Sequence, residues 1–167
     1  MATPPPQYYA QQPSGPAAGV RYASAGGRLI AYIIDGIIVG FAASLFIVLG
    51  LGVVGAPVAD SAGNVTFNGN VGLAFLIAFI GWLIALLYKP FFWSRGGQTP
   101  GYKLIGMRVV RARDGGPVGF GSAILRLIGY VINDIVFGIP LGFLWILFDA
   151  QKQGWHDKIA GTVVIQA

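Results

Sequence analysis

Leu29 to Val54 reads LIAYIIDGIIVGFAASLFIVLGLGVV, an apolar run interrupted by one charged residue, Asp35. A helix rises about 1.5 Å per residue, so about 20 residues cross a hydrocarbon core of roughly 30 Å. The run is long enough to cross even when tilted, and it predicts a membrane helix over 29–54. Ser24 is placed to cap it, although no Glu or Gln stands three residues on to complete a capping box.

The remainder of the chain supports this reading. Only 10% of the 167 residues are charged and 55% are hydrophobic, and the mean hydropathy is +0.69. Soluble domains carry about 25% charged residues. Val71 to Trp93 predicts a second span, with Tyr88, Phe91, Phe92 and Trp93 at its end, where aromatic side chains suit a membrane–water interface. Pro90 is expected to kink or end that helix. A third apolar region covers 122–148 and is interrupted by Arg126, Asn133, Asp134, Gly138 and Pro140. It is either one kinked span or two shorter helices with a break near 133–140.

Residues 1–20 are rich in Pro, Gln and Tyr and are read as a disordered cytoplasmic tail, since they bury too little apolar surface to offset their ordering entropy. Residues 21–167 form the membrane domain. Residues 1–27 contain no apolar segment, so the first span is expected to direct insertion. Residues 56–70 form a polar loop. Leu104–Val110 and Gly161–Ile165 read as two short strands, each needing a partner. Pairing them would make the third apolar region enter and leave on one side. The segment 89–114 carries Lys89, Arg95, Lys103, Arg108, Arg111 and Arg113, whereas 57–70 has no Lys or Arg. The positive-inside rule then places the N-terminus and the 94–121 segment in the cytoplasm. The expected fold is an all-α membrane protein. Three or four membrane helices form a small bundle, with a short cytoplasmic two-stranded β element.

The net charge of +5 is read as this topological signal and not as a nucleic-acid footprint. There is no Cys and a single histidine, His156, which excludes disulfides, thiol chemistry and multi-histidine metal sites. No catalytic constellation assembles, so neither an enzyme nor a cofactor is expected.

The informative residues are the polar ones that contradict their surroundings. A charged Asp35 inside a span costs at least about 2.5–3.5 kcal/mol. It is either an ion- or proton-binding carboxylate or a structural polar contact. Arg28 precedes it by seven residues, on the same helix face but about 10 Å away. Arg28 is either part of that site or an anchor facing lipid phosphate. Arg126 is then the best remaining partner for Asp35. Asn133 and Asp134 mark either a broken helix at membrane depth or a turn at the interface. His156 and Asp157 lie in GWHDK, where adjacency alone does not bring them face to face.

With these residues in view, the chain resembles the RDD family of bacterial integral membrane proteins, named for one arginine and two aspartates. Arg28 and Asp35 match the arginine and first aspartate. The second is matched by Asp157 in GWHDKIAGTVV, with Asp149 as a rival. Gly97–Val110, GQTPGYKLIGMRVV, is similar to a second family segment, and Arg126 falls where the family tends to carry an arginine. Tyr102 stands where a Lys is common. The resemblance implies a multi-pass protein of the cell membrane and a transporter or transporter component, with cation/proton exchange suspected. The candidate polar site is then Arg28, Asp35, Arg126, Asp134, Asp149 and Asp157, with a monovalent cation or proton as ligand. The alternative is a non-catalytic scaffold or accessory protein that engages a partner through its basic loop. One set of spans is small for a whole pathway, so a homo-oligomer or a partner membrane protein is expected.

Overall fold

The computed structural model describes residues 19–137 and 141–167, with side-chain surroundings outside 133–141. The expected tail therefore lies outside the described residues except for its last two positions. Helix α1 spans Ala25–Val54 and α2 spans Val71–Gly96. Both are long and apolar enough to cross a membrane. Only 6% of the most apolar window of α1 is buried, and 11% of that of α2. Helices serving as the core of a soluble protein would be largely buried, so these surfaces need lipid.

Local sequence sets the ends. Ser24 Oγ accepts from the Gly27 N–H at 3.1 Å, and Asn70 Oδ1 accepts from the Leu73 N–H at 2.9 Å. Helix α1 thus starts four residues earlier than the apolar run. Pro90 does not end α2, which continues to Gly96.

The segment between the two spans is more than a loop. Strands β1 (Pro57–Ala59) and β2 (Val65–Phe67) pair as an exposed antiparallel hairpin. The Asp60 carboxylate organises its turn by accepting from the N–H groups of Ala62 and Asn64. The N–H groups of Gly69 and Asn70 then close the last carbonyls of α1, those of Val54 and Val53.

At the other end of the two spans lies a compact cap. Helix α3 (Pro100–Ile105) follows α2, with Thr99 as N-cap and Pro100 at its first position. Strand β3 (Met107–Arg111) comes next, and pairs antiparallel with β4 (Thr162–Gln166) through Val109 and Val164. The expected pairing of these two strands is therefore present. The first expected strand begins later than 104 because Leu104 and Ile105 close α3. Residues 21–23 run along the outer edge of β4, where the Ala23 N–H donates to the Val164 carbonyl and the Gln166 N–H to the Arg21 carbonyl, both at 2.9 Å. The Gly97 carbonyl accepts from the Val109 N–H across the far side of β3. Both edges are covered, which removes the template for pairing with another chain.

Helix α4 (Phe120–Phe137) packs on α2 and on α6 (Trp155–Ala160). Asn133 and Asp134 lie inside α4, so the helix is not broken there; residues 138–140 lie outside the described residues. Arg126 sits over the ring of Trp93, whereas Lys89 sits over the ring of Tyr130. One turn forward on α4 is one turn back on α2, so the two run antiparallel. The chain resumes as α5 (Leu141–Leu144) and a 3₁₀ turn (Trp145–Leu147). The Phe143 ring already lies against Tyr130 at 5.4 Å and His156 at 5.1 Å. Phe143 thus packs back against α4 and α6. Among the described residues two helices are long and apolar enough to cross a membrane, α4 is a shorter apolar helix, and there are two small sheets where one was expected.

Candidate functional site

The cap core forms where the N-terminal turns of α1 meet β3, β4, α4 and α6. Ala31, Trp93, Met107, Val109 and Val164 are buried in it. Two polar clusters are set into this apolar packing.

The first cluster centres on Asp157. Its Oδ2 accepts from Arg28 Nη1 at 2.7 Å and from the Gly154 N–H at 3.0 Å. Its Oδ1 accepts from Arg126 Nη1 in a short contact, and Arg126 Nη1 also reaches Thr162 Oγ1 at 2.6 Å. Arg28, Arg126 and Asp157 are each 1% exposed or less. One carboxylate thereby ties α1, α4 and the start of α6 together. Burial by itself would raise the Asp157 pKa, but Arg126, His156 and Arg28 outweigh it and hold the carboxyl well below its usual range. The His156 ring stacks on Tyr130 with centroids 4.1 Å apart. Its Nε2 lies 3.4 Å from Asp157 Oδ2 without making a hydrogen bond. Burial pushes this imidazole below its usual range, opposed in part by the Asp157 charge.

The second cluster centres on Asp35, which is 2% exposed. Asp35 Oδ2 accepts from Thr99 Oγ1 at 2.6 Å. Oδ1 accepts from the Gly101 N–H at 2.9 Å and from Tyr88 Oη at 3.0 Å. This carboxylate joins α1, α2 and α3. Gly101 is required by close approach: a Cβ there would strike the Ala31 carbonyl and come within 2.9 Å of Asp35 Oδ1. Asp35 stands 19 residues from Val54, about 28 Å along the axis. With the far end of α1 at one edge of a hydrocarbon core of roughly 30 Å, Asp35 lies near the other edge and not at mid-membrane.

The structure thus redistributes the residues singled out in the sequence. Asp35 and Arg126 do not pair; each has other partners. Arg28 does not face lipid phosphate but is buried against Asp157. Asp149 belongs to neither cluster. It ion-pairs with Lys158 and accepts from the Gln151 and Gln153 N–H groups, shaping the turn before α6. The side chain of Asp134 lies outside the described residues. Tyr88, Thr99, Gly101 and Thr162 complete the clusters; in the sequence Tyr88 read as an interface aromatic and the other three fell within quoted motifs, with no polar site assigned to any of them. Thr99-Pro100 was the readable signal, being an N-cap followed by proline at the first helical position. Among the described residues no group of His and acidic side chains is arranged to hold a metal.

The buried arginine and the two buried aspartates are the residues on which a family assignment turns. A model described as the RDD family matches residues 22–161. The chain belongs to the RDD family. Among relatives, an uncharacterised Bacillus subtilis (strain 168) protein, YxaI, is 33% identical over 144 residues, covering 83% of this chain and 93% of its own length. A Mycobacterium leprae (strain TN) protein called proline-rich antigen is 27% identical over 155 residues, covering 83% of this chain. An uncharacterised Rickettsia prowazekii (strain Madrid E) protein, RP437, is 32% identical over 101 residues, or 60% of this chain. This RDD-family chain spans 58% and 55% of the lengths of the last two. No solved structure matches it. Of the two candidates for the second aspartate, Asp157 is the one in contact with Arg28.

Proposed function

We propose that this RDD-family membrane protein is a non-catalytic scaffold or accessory protein that engages a partner through the basic face of its cap. The observation that carries this reading is that donors of its own fold engage both oxygens of Asp35. Thr99, Gly101 and Tyr88 use both carboxylate oxygens. A carboxylate that carries an ion must exchange its ligands in every cycle. Freeing this one would loosen α1, α2 and α3 together. The groove between the spans, of about 160 Å³, adds support. It is lined by Ile38, Ala42, Phe46, Gly81 and similar apolar residues, a surface suited to lipid or another helix and not to a hydrated ion.

In this reading the cap is cytoplasmic at the cell membrane, with both termini inside. Arg95, Lys103, Arg108 and Arg113 are exposed on it, and the β1–β2 hairpin outside has no Lys or Arg. The partner is a second copy or another membrane protein. Cation/proton exchange is the second reading, and the place of Asp35 within a membrane helix favours it.

The two readings separate in everted vesicles and in liposomes. The scaffold reading expects Na⁺ or Li⁺ to dissipate a pH gradient no faster with the protein than without it. It also expects Asp35→Asn to lower folded abundance and the yield of co-purified partner. Sodium/proton exchange by the purified chain alone in liposomes would overturn it and install the transport reading.

A further inference from the structure

Among the described residues, five buried side-chain atoms have no hydrogen-bond partner: Arg28 Nε, Trp93 Nε1, Arg126 Nε, Arg126 Nη2 and His156 Nε2. All five belong to the cluster around Asp157. Folded proteins leave few buried polar atoms unpaired, and a charged group left so is the most costly. Four of the five are N–H groups that can only donate. The cluster is therefore short of acceptors.

Its charge points the same way. Two guanidinium groups face one carboxylate, whose oxygens already serve Arg28, Arg126 and Gly154. The second buried carboxylate among the described residues, Asp35, is committed to Thr99, Gly101 and Tyr88, about 10 Å along α1 from Arg28. Arg126 serves Asp157 and Thr162 through Nη1 alone. Its Nε–Nη2 edge, which presents two parallel donors, has no acceptor. The Trp93 ring lies 4.8 Å from the guanidinium carbon and fixes the plane of the group.

We propose that the Nε–Nη2 edge of Arg126 is a buried site for a small inorganic anion, chloride being the simplest, which completes the lock between α1, α4 and α6. Arg126 is 0% exposed, so a lipid headgroup does not fit without opening the cap. A water molecule would accept from the donors but leave the second guanidinium without a counter-charge.

The test uses the full chain in detergent micelles with sodium held constant and chloride exchanged for gluconate. The expected result is a saturable rise in Tm with chloride and saturable ³⁵Cl line broadening that bromide displaces. Arg126→Lys keeps a cation for Asp157 but lacks the paired edge, and should abolish both effects. Arg21→Gln, at an exposed cation, should leave both intact. Wild-type protein with no saturable chloride effect overturns the proposal, as does an effect that survives in Arg126→Lys or disappears in Arg21→Gln. If Arg126→Lys does not fold, bromide-soaked crystals of the wild-type chain decide. An anomalous peak within hydrogen-bond reach of Arg126 supports the site, and a peak elsewhere or none rejects it.

Discussion

At the residue scale, two carboxylates hold the cap, and each can be challenged singly. Asp157→Asn leaves two buried guanidinium groups without a counter-charge. Breaking a buried pair in this way costs about 3–5 kcal/mol, and unfolding in micelles should show a loss of that size. Gly101→Ala forces a methyl group against the Ala31 carbonyl and Asp35. Overpacking of this kind costs about 1–3 kcal/mol, and the same assay should register it. The pH dependence follows from the two lowered pKa values. His156 titrates lower when folded than the roughly 6.5 of a free imidazole. Its contribution is complete above about pH 6.5 and is lost as pH falls toward the folded value. Asp157 is likewise lowered, so its contribution is complete above about pH 4 and is lost only in stronger acid. A Tm profile should therefore fall in two stages with acidification. His156→Phe should flatten the first stage and spare the second. The sequence exposed Arg28, Asp35, Arg126 and Asp157 as misfits in apolar or motif-bearing surroundings, but not their pairing. Which guanidinium meets which carboxylate is decided by how α6 docks on α1, a contact across 129 residues that no local pattern encodes.

At the element scale, the two spans were legible because hydrophobic length is a direct physical requirement of a bilayer. Helix α3 was hidden because Leu104 and Ile105 resemble the start of the strand that follows. The β1–β2 hairpin was hidden because three-residue strands are too short to show alternation. Its residues are exposed throughout, so it contributes little to stability. Replacing the Asp60–Asn64 turn with a Gly/Ser linker while keeping residues 68–70 should shift unfolding by less than about 0.5 kcal/mol. The course of region 122–148 was undecidable from periodicity. Phe143 meets Tyr130 and His156, and such contacts are tertiary.

At the scale of the whole molecule, the architecture sorts the chain to two faces of a membrane. The sequence contains no Cys, so single cysteines can be introduced without background. With the cap cytoplasmic, as proposed, cysteine at Asn64 should react with an impermeant thiol reagent on intact cells, and cysteine at Arg113 or at Lys152, both in the cap, only after permeabilisation. Labelling of position 152 in intact cells would turn the third region into a full crossing.

The edge strand at 21–23 and the salt bridge from Arg28 to Asp157 have a consequence for biosynthesis. Both join the root of the first span to residues 157–166, which are translated after both spans. Each span can enter the bilayer while translation continues, yet the cap has no means of closing until β4 leaves the ribosome. A nascent chain halted before residue 157 would sit fully inserted with its arginine unmated. For this protein, membrane insertion and completion of the fold are separate events in time.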